Sequence, residues 1–508
     1  MTTSHPRVPL ALMVVVQAVV SGSSLVVEIV AGRMLAPYVG MSLYTWTSII
    51  AVVLAGFSAG HWWGGHVAER PARQALAYTG WVLLAAAVAT GCALIFLRVA
   101  GGPILETVTH PLFSIAALTI CVFFLPSLFA GVPAPVLTQI AVTMRAGRSG
   151  RALGAMFAAG AVGAIAGTVL AGFVFIPWLG TALTLAIVTA VYLVSSALLF
   201  WAARPITRPA LPLIMAALAV TMSAVTLTRL SNCSVESRYF CIRVVDVSAD
   251  PASPVRRMVL DHLSHGTSAR DHPRLMFNEF TAMIDEIGRG RMGPGPFSAF
   301  FIGGGTYSVP RAWADRATGP VTVAEIDPEV TAVAVRDFWL APDRLDILHE
   351  DARNALIRRP QRKYDVIVGD AFGDIAVPAH LITREFFSLV RARLAEGGVF
   401  LMNVVDFPER MHALGAIAAT LQSVFPSVEI WTVERAPVAG EHRVFVLAAG
   451  EKPTDFSTFV TGAPDMARFS ALAQGFTSRL MEQSPVPVLT DDFAPIDRLM
   501  AGNIWSGF

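Results

Sequence analysis

Acidic residues and lysine are nearly missing from the first 230 residues of this chain. Three of its 37 acids lie there (Glu28, Glu69 and Glu106), and this segment has no aspartate and no lysine. Over all 508 residues the chain is 54% hydrophobic and 15% charged, whereas a soluble domain has about 25% charged residues. So little charge is typical of a segment surrounded by lipid. The sequence therefore predicts a membrane half followed by an acid-rich, water-soluble half.

A strong net charge is also missing, since the formal charge is +1 at pH 7, and no nucleic-acid partner is expected. Cysteine is scarce too: of four residues, Cys92 and Cys121 lie in apolar stretches and are expected to pack there. Cys233 and Cys241 have no second cysteine pair or histidine cluster beside them, so we predict no zinc site and no metal. They form either two free thiols or a disulfide, which requires an oxidising compartment.

Long apolar runs fill the first 230 residues. A membrane-spanning helix needs about 20 mostly apolar residues. The N-terminal run has no convincing signal-peptide cleavage site, so we take it as the first span. Small residues recur at helix-packing spacing in GAMFAAGAVGAIAG (154–167), which favours close helix pairs. Seven stretches are predicted to span: 8–31, 43–66, 75–98, 112–137, 152–177, 180–201 and 209–228.

Arginines are unevenly distributed among the loops between these stretches. Those that follow spans 2, 4 and 6 are Arg70, Arg73, Arg145, Arg148, Arg151, Arg204 and Arg208. Spans 1 and 3 are followed by Arg33 and Arg98 alone, and span 5 by none. The positive-inside rule therefore places the N-terminus in the cytoplasm. Seven spans would then leave the second half of the chain on the opposite side of the membrane.

Glu28 lies inside an apolar stretch, with Arg33 near it at the end of the same predicted helix. Ionisable groups inside a membrane are usually functional. An ion pair with Arg33, or a side chain that reaches the membrane interface, explains Glu28 equally well. The sequence leaves these interpretations open.

Strand-like segments replace the apolar runs after about residue 230. SRYFCIRVVDVS and RRMVLDHL alternate apolar and polar residues and predict a small β region over 231–295. Over 296–508, apolar strands alternate with helices, from FSAFFIGGGTYS through VTVAEID and YDVIVGDAF to GGVFLMNVV. This alternation predicts a parallel, doubly wound α/β sheet. The predicted domains are therefore a transmembrane helical bundle (1–230), the β region and the α/β domain.

A glycine-rich turn ends the first strand of the predicted sheet. Gly303, Gly304 and Gly305 allow a tight turn and the close approach of backbone N–H groups to a ligand at a helix N-terminus. Glu325 follows about 20 residues later, at the end of the next strand, where a carboxylate accepts hydrogen bonds from ribose hydroxyls. A solvated acid at a strand end is the alternative. The spacing favours a nucleoside site.

Two more acids are predicted at the same edge of the sheet. Asp351, with Ala352 beside it, follows the third strand at a position suited to an adenine amino group, and Asp370 ends the fourth strand. Ligands of open α/β sheets bind at the carboxyl ends of the strands. Because three carboxylates repel phosphate, this set predicts a cationic ligand, such as a sulfonium nucleoside or an amine.

A family resemblance is carried by the order of the motifs ESRYFCIRV, MVLDHLSHG, FNEF, FIGGGTYS, VAEIDPEV, HEDARNAL and YDVIVGDAF. This order resembles the polyamine aminopropyltransferases, the spermidine synthases. With SGSSLVVEIVAGRML and LTDDFAPIDRL, the whole chain is similar to a bacterial subgroup that joins such a domain to a multi-pass membrane region. The resemblance implies a Rossmann-like fold of the S-adenosylmethionine-dependent transferase type, the lipid bilayer of the bacterial inner membrane as surroundings, and a homodimer.

The resemblance also implies a reaction. An aminopropyl group would pass from decarboxylated S-adenosylmethionine to a polyamine or another small amine. By this analogy Glu325 would hold the ribose, and Asp351 with Ala352 would hold the adenine. Asp370 would orient and deprotonate the attacking amine, because an ammonium has no lone pair.

The amine side of the implied pocket departs from the family pattern. Thr306 stands where the family has an aspartate that anchors the aminopropyl amine. The family's glutamine, tyrosine and histidine are replaced by Phe240, Phe277 and Asn278. A second acid near the catalytic one would be Asp374, displaced by one residue. The residues expected near the acceptor are His262, His265, Asn278, Glu279, Thr306 and Asp374, with a structural role as the alternative for the two histidines.

Three functions follow from these patterns. The first is aminopropyl transfer by a membrane-anchored enzyme. The second is transfer of another group, such as a methyl group from S-adenosylmethionine, which Thr306 favours. The third is a non-catalytic ligand-binding domain that serves the membrane helices as a sensor or transport partner, against which Asp370 argues. A nucleoside cosubstrate is expected in the cytoplasm, whereas the arginines and the Cys233/Cys241 pair indicate the outer side, so the side stays open.

Overall fold

The structure of the protein is a computed structural model, and it describes residues 9–108, 110–145, 147–203, 210–229, 233–373, 376–438 and 440–501. The chain divides into two compact units, Met1–Cys241 and Ile242–Phe508. The first unit is helical, and the second combines helices with two sheets. The limits of the predicted β region, 231 and 295, stay predictions.

Long helices form the first unit, and large apolar side chains such as Trp62, Phe173 and Trp201 are mostly exposed on them. An apolar outer surface suits lipid rather than water. The helices are α1 (Leu10–Val39), α2 (Leu43–Ala68), α3 (Ala72–Thr107), α4 (Pro111–Gly131), α5 (Pro133–Met144), α6 (Ser149–Leu170), α7 (Ile176–Ala203) and α8 (Ala210–Arg229), with a π-helical turn at Ala171–Phe175.

Among the described residues, six helical stretches are long and apolar enough to cross a membrane, where the sequence predicts seven. The predicted spans 152–177 and 180–201 both fall within one stretch, Ser149–Ala203. They merge because α6, the π-helical turn and α7 follow each other without a loop. Gly180 interrupts this stretch with φ 70° and ψ 179°.

Glycines set the spacing between α1 and α6. A Cβ atom at Gly163 would overlap the Ala18 carbonyl oxygen, and one at Gly167 would overlap the Gly22 carbonyl oxygen. Such close backbone approach is what the predicted small-residue pattern permits in a membrane. α1 also contacts α2, α4, α5 and α7, so it lies inside the bundle.

The residues 233–241, called here the connecting segment, are fixed to the helices of the first unit. A disulfide joins Cys233 and Cys241. The Glu236 carboxylate accepts hydrogen bonds from the backbone N–H of Thr181, at 3.0 and 3.1 Å, and from its hydroxyl. Because Thr181 directly follows the interruption of α7, Glu236 supplies a cap at the point where the helix resumes.

Arg33, near the end of α1, also holds the connecting segment. Its guanidinium donates hydrogen bonds to the carbonyl oxygens of Ser237, at 3.1 Å, and of Tyr239. Glu28 makes no hydrogen bond or ion pair with any described residue. The ion pair between Glu28 and Arg33, one of the interpretations from the sequence, is therefore not formed.

The second unit contains most of the strands. The strands of the chain are β1 (Val235–Glu236), β2 (Cys241–Asp246), β3 (Val255–Leu260), β4 (Leu263–Ala269), β5 (Ala299–Ile302), β6 (Val321–Ala324), β7 (Asp346–Leu348), β8 (Tyr364–Gly369), β9 (Leu394–Asp406), β10 (Ser427–Val433), β11 (Arg443–Gly450), β12 (Thr458–Thr461) and β13 (Ala467–Ala471). The helices of this unit are α9 (Glu279–Met292), α10 (Ser308–Asp315), α11 (Pro328–Asp337), α12 (Ala352–Arg358), α13 (Arg384–Arg393), α14 (His412–Gln422), α15 (Gln474–Glu482) and α16 (Ile496–Ala501).

The main sheet runs in the order β12-β13-β10-β11-β9-β8-β5-β6-β7 across the described chain. Strands β5 to β9 pair in parallel, as predicted. Strands β9 to β13 pair antiparallel, so the sheet is mixed rather than wholly parallel. β5 has β6 on one side and β8 on the other, which makes their carboxyl ends the switch point where open α/β sheets bind ligands.

The small sheet agrees with the alternating pattern of the sequence. β2 pairs antiparallel with β3, and β3 with β4. The helix α9, however, lies within the region that the sequence predicts as β. Its buried residues, such as Met283 and Ile287, are separated by charged and small residues that hide the helical period.

Candidate active site

The carboxyl ends of four parallel strands form one edge of the main sheet. Leu348, Ala324, Ile302 and Gly369 are in register across β7, β6, β5 and β8. The backbone N–H of Gly303 donates to the Ala324 carbonyl and that of Asp370 to the Ile302 carbonyl, both at 2.9 Å. Gly303, Glu325 and Asp370 are therefore the first residues after β5, β6 and β8, at the same edge of the sheet. The sequence predicts these positions at strand ends.

The glycine turn after β5 is packed so closely against its neighbours that it leaves no room for side chains at Gly303 and Gly305. Gly303 has φ +94° and Gly305 has φ +52°, the left-handed region that favours glycine. A Cβ atom at Gly303 would overlap the Asp370 carbonyl oxygen, and one at Gly305 would lie 2.9 Å from the His265 carbonyl oxygen. The turn is thus held between the end of β8 and the start of β4, and its backbone leads directly into α10.

Glu325 is buried directly beside this turn, at 6% exposure. Its Oε2 accepts a hydrogen bond of 2.8 Å from the Gly304 N–H, and its Oε1 one of 2.9 Å from the Asp327 N–H. Burial raises the pKa of Glu325, and these backbone hydrogen bonds oppose the rise. Glu325 is therefore not a solvated strand-end acid. Each carboxylate oxygen keeps acceptor capacity for a hydroxyl group.

Asp351 begins α12 just beyond β7, with Ala352 as the first helical residue. Its Oδ1 accepts the N–H of Asn354 at 3.0 Å, and its Oδ2 lies 2.8 Å from His380 Nε2. The side chain is thus both the N-cap of the helix and a partner of a histidine. The N–H of Ala352 belongs to the first turn, where backbone donors lack helical partners.

Asp370 carries the clearest electrostatic signature of the site. Its Oδ1 accepts a hydrogen bond of 2.9 Å from Nδ2 of Asn403, on the neighbouring strand β9. Burial raises the pKa of Asp370 to about 6, and the hydrogen bond from Asn403 opposes the rise. Perturbed carboxyl groups at strand ends are candidates for general bases.

Thr306 takes part in a chain of buried hydroxyl groups instead of presenting an acid. Its hydroxyl lies 2.6 Å from that of Ser308, which in turn lies 2.9 Å from that of Ser268. Thr306 is 2% exposed, and a Cβ atom at Gly266 would overlap its Oγ1. The position is therefore neutral, tightly packed and already hydrogen-bonded.

Histidine side chains interact near the start of β4. Burial lowers the pKa of His265 to about 4, and the charge of His262 lowers it further, while a contact of 3.0 Å with the Leu263 carbonyl opposes the shift. Burial and the charge of His262 also lower the pKa of His442. The His442 ring packs against Phe407 at a tilt of 40°, with the ring centroids 4.2 Å apart. With a pKa of about 4, His265 is neutral near pH 7 and adds no positive charge that would repel a cation.

The remaining residues predicted near the acceptor do not share one hydrogen-bond network. The Asn278 Oδ1 is buried without a hydrogen bond in the described part of the chain. Glu279 lies 3.6 Å from Arg435 Nε, and Arg435 also binds Glu441. Asp374 lies outside the described residues. Within the described ranges, no group of three or more His, Cys, Asp or Glu residues could hold a metal ion.

Sequence reasoning missed Asn403, His380 and His442. Asn403 had a usable signal, because it is a lone amide in the apolar strand FLMNVV, and such a residue normally has a polar partner. His380 and His442 lie in loops without a motif. Their neighbours follow only from the fold.

The second unit matches known proteins. A family model described as the spermine/spermidine synthase domain matches residues 302–457. The probable polyamine aminopropyl transferase of Bifidobacterium longum is 28% identical over 195 residues, covering 35% of this chain and 43% of the relative. Polyamine aminopropyltransferase 2 of Streptomyces coelicolor is 28% identical over 313 residues, covering 58% and 56%. An N-terminal histidine N-methyltransferase of Emericella nidulans is 30% identical over 207 residues, covering 40% and 35%.

Solved structures give further likenesses. A probable spermidine synthase from Corynebacterium glutamicum has a TM-score of 0.39 at 18% identity, covering 52% of this chain and 92% of that one. The spermidine synthase of Thermotoga maritima has a TM-score of 0.32 at 17% identity, covering 41% and 73%. The chain spans about half the length of the curated aminopropyltransferases just named. Residues 302–457 of its C-terminal region therefore match the spermine/spermidine synthase domain.

Proposed function

We propose that the second unit transfers an aminopropyl group from decarboxylated S-adenosylmethionine to a small amine. The observation that carries this proposal is Asp370, a half-buried carboxylate held by Asn403 at the edge that also presents the glycine turn and Glu325. The relatives named polyamine aminopropyltransferases support the same activity.

The donor would bind along the carboxyl edge of the sheet. Glu325, buried and held by two backbone N–H groups, would accept hydrogen bonds from the ribose hydroxyls. Asp351 would accept a hydrogen bond from the adenine amino group, and the N–H of Ala352 would donate to the adenine ring. The carboxylates around the site would attract the sulfonium charge.

Asp370 would act as the base for the attacking amine. The amine nitrogen forms a bond to the aminopropyl carbon, the bond from that carbon to sulfur breaks, and methylthioadenosine leaves with the electron pair. The proton that the amine loses passes to Asp370. With a pKa of about 6, Asp370 is a stronger base than an ordinary aspartate and is still mostly ionised at neutral pH. Because the sulfonium is a good leaving group, positioning supplies much of the remaining catalysis.

Methyl transfer from S-adenosylmethionine is the second candidate, and Thr306 favours it. S-adenosylmethionine carries a carboxylate that its decarboxylated form lacks, and the neutral hydroxyls of Thr306 and Ser308 would tolerate it where an aspartate would repel it. The likeness to a histidine N-methyltransferase points the same way.

One experiment separates the two candidates. The purified full chain is incubated with putrescine or spermidine and either decarboxylated or intact S-adenosylmethionine, and the products are identified by mass spectrometry. Aminopropyl transfer yields methylthioadenosine and a longer amine, whereas methyl transfer yields S-adenosylhomocysteine. Asp370→Asn is expected to remove the activity, and Asp343→Asn, at an exposed acid, is the matched control.

We also propose that the stretch Ser149–Ala203 crosses the membrane twice, which gives seven spans. A straight helix of its 55 residues would be about 80 Å long, against about 30 Å for the hydrocarbon core. Gly180 interrupts the stretch, and Glu236 caps the resumed helix at Thr181. Trp178, 75% exposed beside the interruption, suits the lipid–water interface.

The contacts of the connecting segment support an odd number of crossings. The segment binds Thr181 at the interruption and Arg33 near the end of α1. Both contacts belong to the membrane face on which α1 ends. Seven crossings bring the chain to that face after α8, whereas six would leave the segment on the opposite face.

The face that carries the connecting segment is proposed to be extracytoplasmic. Most loop arginines, such as Arg70, Arg145 and Arg148, belong to the other face, which the positive-inside rule makes cytoplasmic. The disulfide between Cys233 and Cys241 suits an oxidising compartment. The second unit would then emerge outside the cytoplasm, and its nucleoside donor would have to be supplied on that side.

A further inference from the structure

One side of α1 carries a line of polar side chains through the apolar first unit. Gln17, Ser21, Ser24 and Glu28 are separated by four, three and four residues, so at about 3.6 residues per turn they share one face of the helix. The line extends over about 16 Å at about 1.5 Å per residue. Because α1 lies inside the bundle, this face is not simply turned toward water.

The oxygens of this line outnumber its hydrogen-bond donors. Gln17 Nε2 donates to Ser21 Oγ at 3.3 Å, and Ser24 Oγ donates to the Ser21 carbonyl at 2.9 Å. Gln17 is 7% exposed, and its Oε1 has no hydrogen-bond partner in the described part of the chain. A buried acceptor without a donor is costly and normally has a partner.

Glu28 ends the line with a carboxylate that has no described partner. Arg33, the closest cation along the helix, is committed to the connecting segment. Glu28 lies five residues before Arg33, which is about 8 Å along the helix from the residue that binds the connecting segment. A carboxylate within the apolar first unit requires a cation or a proton.

The neighbouring helix is irregular at the level of Glu28. α6 runs parallel to α1, because Gly163 meets Ala18 and Gly167 meets Gly22. The same register continued along both helices brings Glu28 level with the π-helical turn Ala171–Phe175, which contacts α1. π-helical turns inside helices are frequent at functional sites.

We propose that this face of α1 binds a protonated alkylamine inside the membrane, with Glu28 as its counter-ion. One ammonium group of a polyamine would supply N–H donors to the Glu28 carboxylate, and a second would supply them to Gln17 Oε1. The alkyl chain between the two groups would span the distance along the helix. Oxygens spread over about 16 Å do not converge on a metal ion. The choice of an amine rests on the proposed function of the second unit, whereas the unpaired acid itself does not.

The test uses dicyclohexylcarbodiimide, an apolar reagent that modifies protonated carboxyl groups within membranes. The full chain in proteoliposomes is treated with the reagent, with and without spermidine, and the modified peptide is identified by mass spectrometry. We expect modification at Glu28 that millimolar spermidine slows at least fivefold, while sodium chloride of equal ionic strength does not. Gln17→Leu, which removes the other unpaired oxygen, is expected to reduce this protection, whereas Thr168→Val on α6 leaves it unchanged.

The matched variants are Glu28→Gln and Glu106→Gln, which remove an intramembrane and an exposed acid respectively. Glu28→Gln should not be modified by the reagent. Uptake or binding of labelled spermidine by its membrane unit should fall at least tenfold. The substitution should leave methylthioadenosine formation unchanged, so failure of this site is separable from failure of the transferase. Absence of modification at Glu28, or modification that spermidine does not slow, overturns the proposal.

Discussion

Asn403 on β9 donates a hydrogen bond of 2.9 Å to the carboxylate of Asp370 at the end of β8. This bond stabilises the ionised carboxylate, while burial stabilises the protonated form and raises the pKa of Asp370 to about 6. The proton affinity of the proposed base is therefore set by two opposing effects, one of which a single substitution removes.

Asn403→Leu should move the acid limb of the pH profile upward. A hydrogen bond to a charged group contributes about 1.5 kcal/mol or more, which corresponds to a rise of about one pKa unit. We expect kcat/KM to fall below about pH 7 in the variant, against about pH 6 in the wild type, with little change at pH 9. Gln483→Leu, at an exposed amide, serves as the control. An unshifted acid limb would show that Asn403 does not act on the base.

Asp370→Asn should stabilise the protein at neutral pH while it removes activity. The pKa of Asp370 is about 6 in the folded protein, above its ordinary 3.8. Folding is therefore favoured while the carboxyl is protonated, and that stability is lost as the pH rises through 6. At pH 8 the ionised Asp370 lowers the free energy of unfolding by about 2–3 kcal/mol. The uncharged amide of Asp370→Asn does not have this effect. Thermal unfolding of the wild type and of Asp370→Asn at pH 4 and pH 8 measures this effect. An equal difference in stability between the two proteins at both pH values would contradict it.

Glu325→Gln should weaken nucleoside binding more than it weakens the fold. The amide keeps one acceptor oxygen for the surrounding backbone N–H groups but loses the charge and the second acceptor. We expect methylthioadenosine to bind about tenfold to a hundredfold more weakly, measured by isothermal titration calorimetry. Glu329→Gln, an exposed acid in the first turn of α11, should bind as the wild type does. Unchanged affinity in Glu325→Gln would remove the ribose role.

Asp351→Ser separates helix capping from adenine recognition. Serine is a good N-cap and preserves the hydrogen bond to the N–H of Asn354, so stability should change by less than about 1 kcal/mol. The contact with His380 is lost, and so is the acceptor for the adenine amino group. We expect weaker methylthioadenosine binding at nearly unchanged unfolding temperature. The reverse pattern, lost stability with full affinity, would leave Asp351 only its capping role.

Thiol labelling in intact cells tests the side of the membrane. With Cys92 and Cys121 replaced by alanine, an impermeant maleimide should not label the chain until the disulfide is reduced. Cys241→Ser frees Cys233, which is half-buried and should then be labelled without permeabilisation. Labelling that requires permeabilised cells would put the connecting segment in the cytoplasm.

Local sequence was enough to predict the carboxyl edge of the sheet with its glycine turn and acids. The run FSAFFI, followed by three glycines and a helix, predicts a strand, a tight turn and the N-terminus of a helix. The structure has these elements as β5, the glycine turn and α10. Glu325 and Asp370 were found because parallel strands present their carboxyl ends at one edge. These predictions depended only on neighbours along the chain.

Contacts between segments that are distant along the chain could not be predicted from the sequence. The bond from Asn403 to Asp370 follows from β9 lying beside β8, and no residue pattern gives that order. Likewise, the Glu236 carboxylate binds Thr181 across 55 positions of the chain, and no residue pattern pairs these two residues. The antiparallel strands β10 to β13 were missed because they carry no motif and no helix alternates with them.

Asp370 is proposed to serve as the base in aminopropyl transfer. The most direct measurement is mass spectrometry of a single turnover with decarboxylated S-adenosylmethionine and an amine, using the full chain and Asp370→Asn. We expect the wild type to form stoichiometric methylthioadenosine and an amine one aminopropyl group longer, and the rate of this turnover to fall at least a hundredfold in Asp370→Asn. Release of S-adenosylhomocysteine from intact S-adenosylmethionine instead, or equal rates in both proteins, would contradict this proposal.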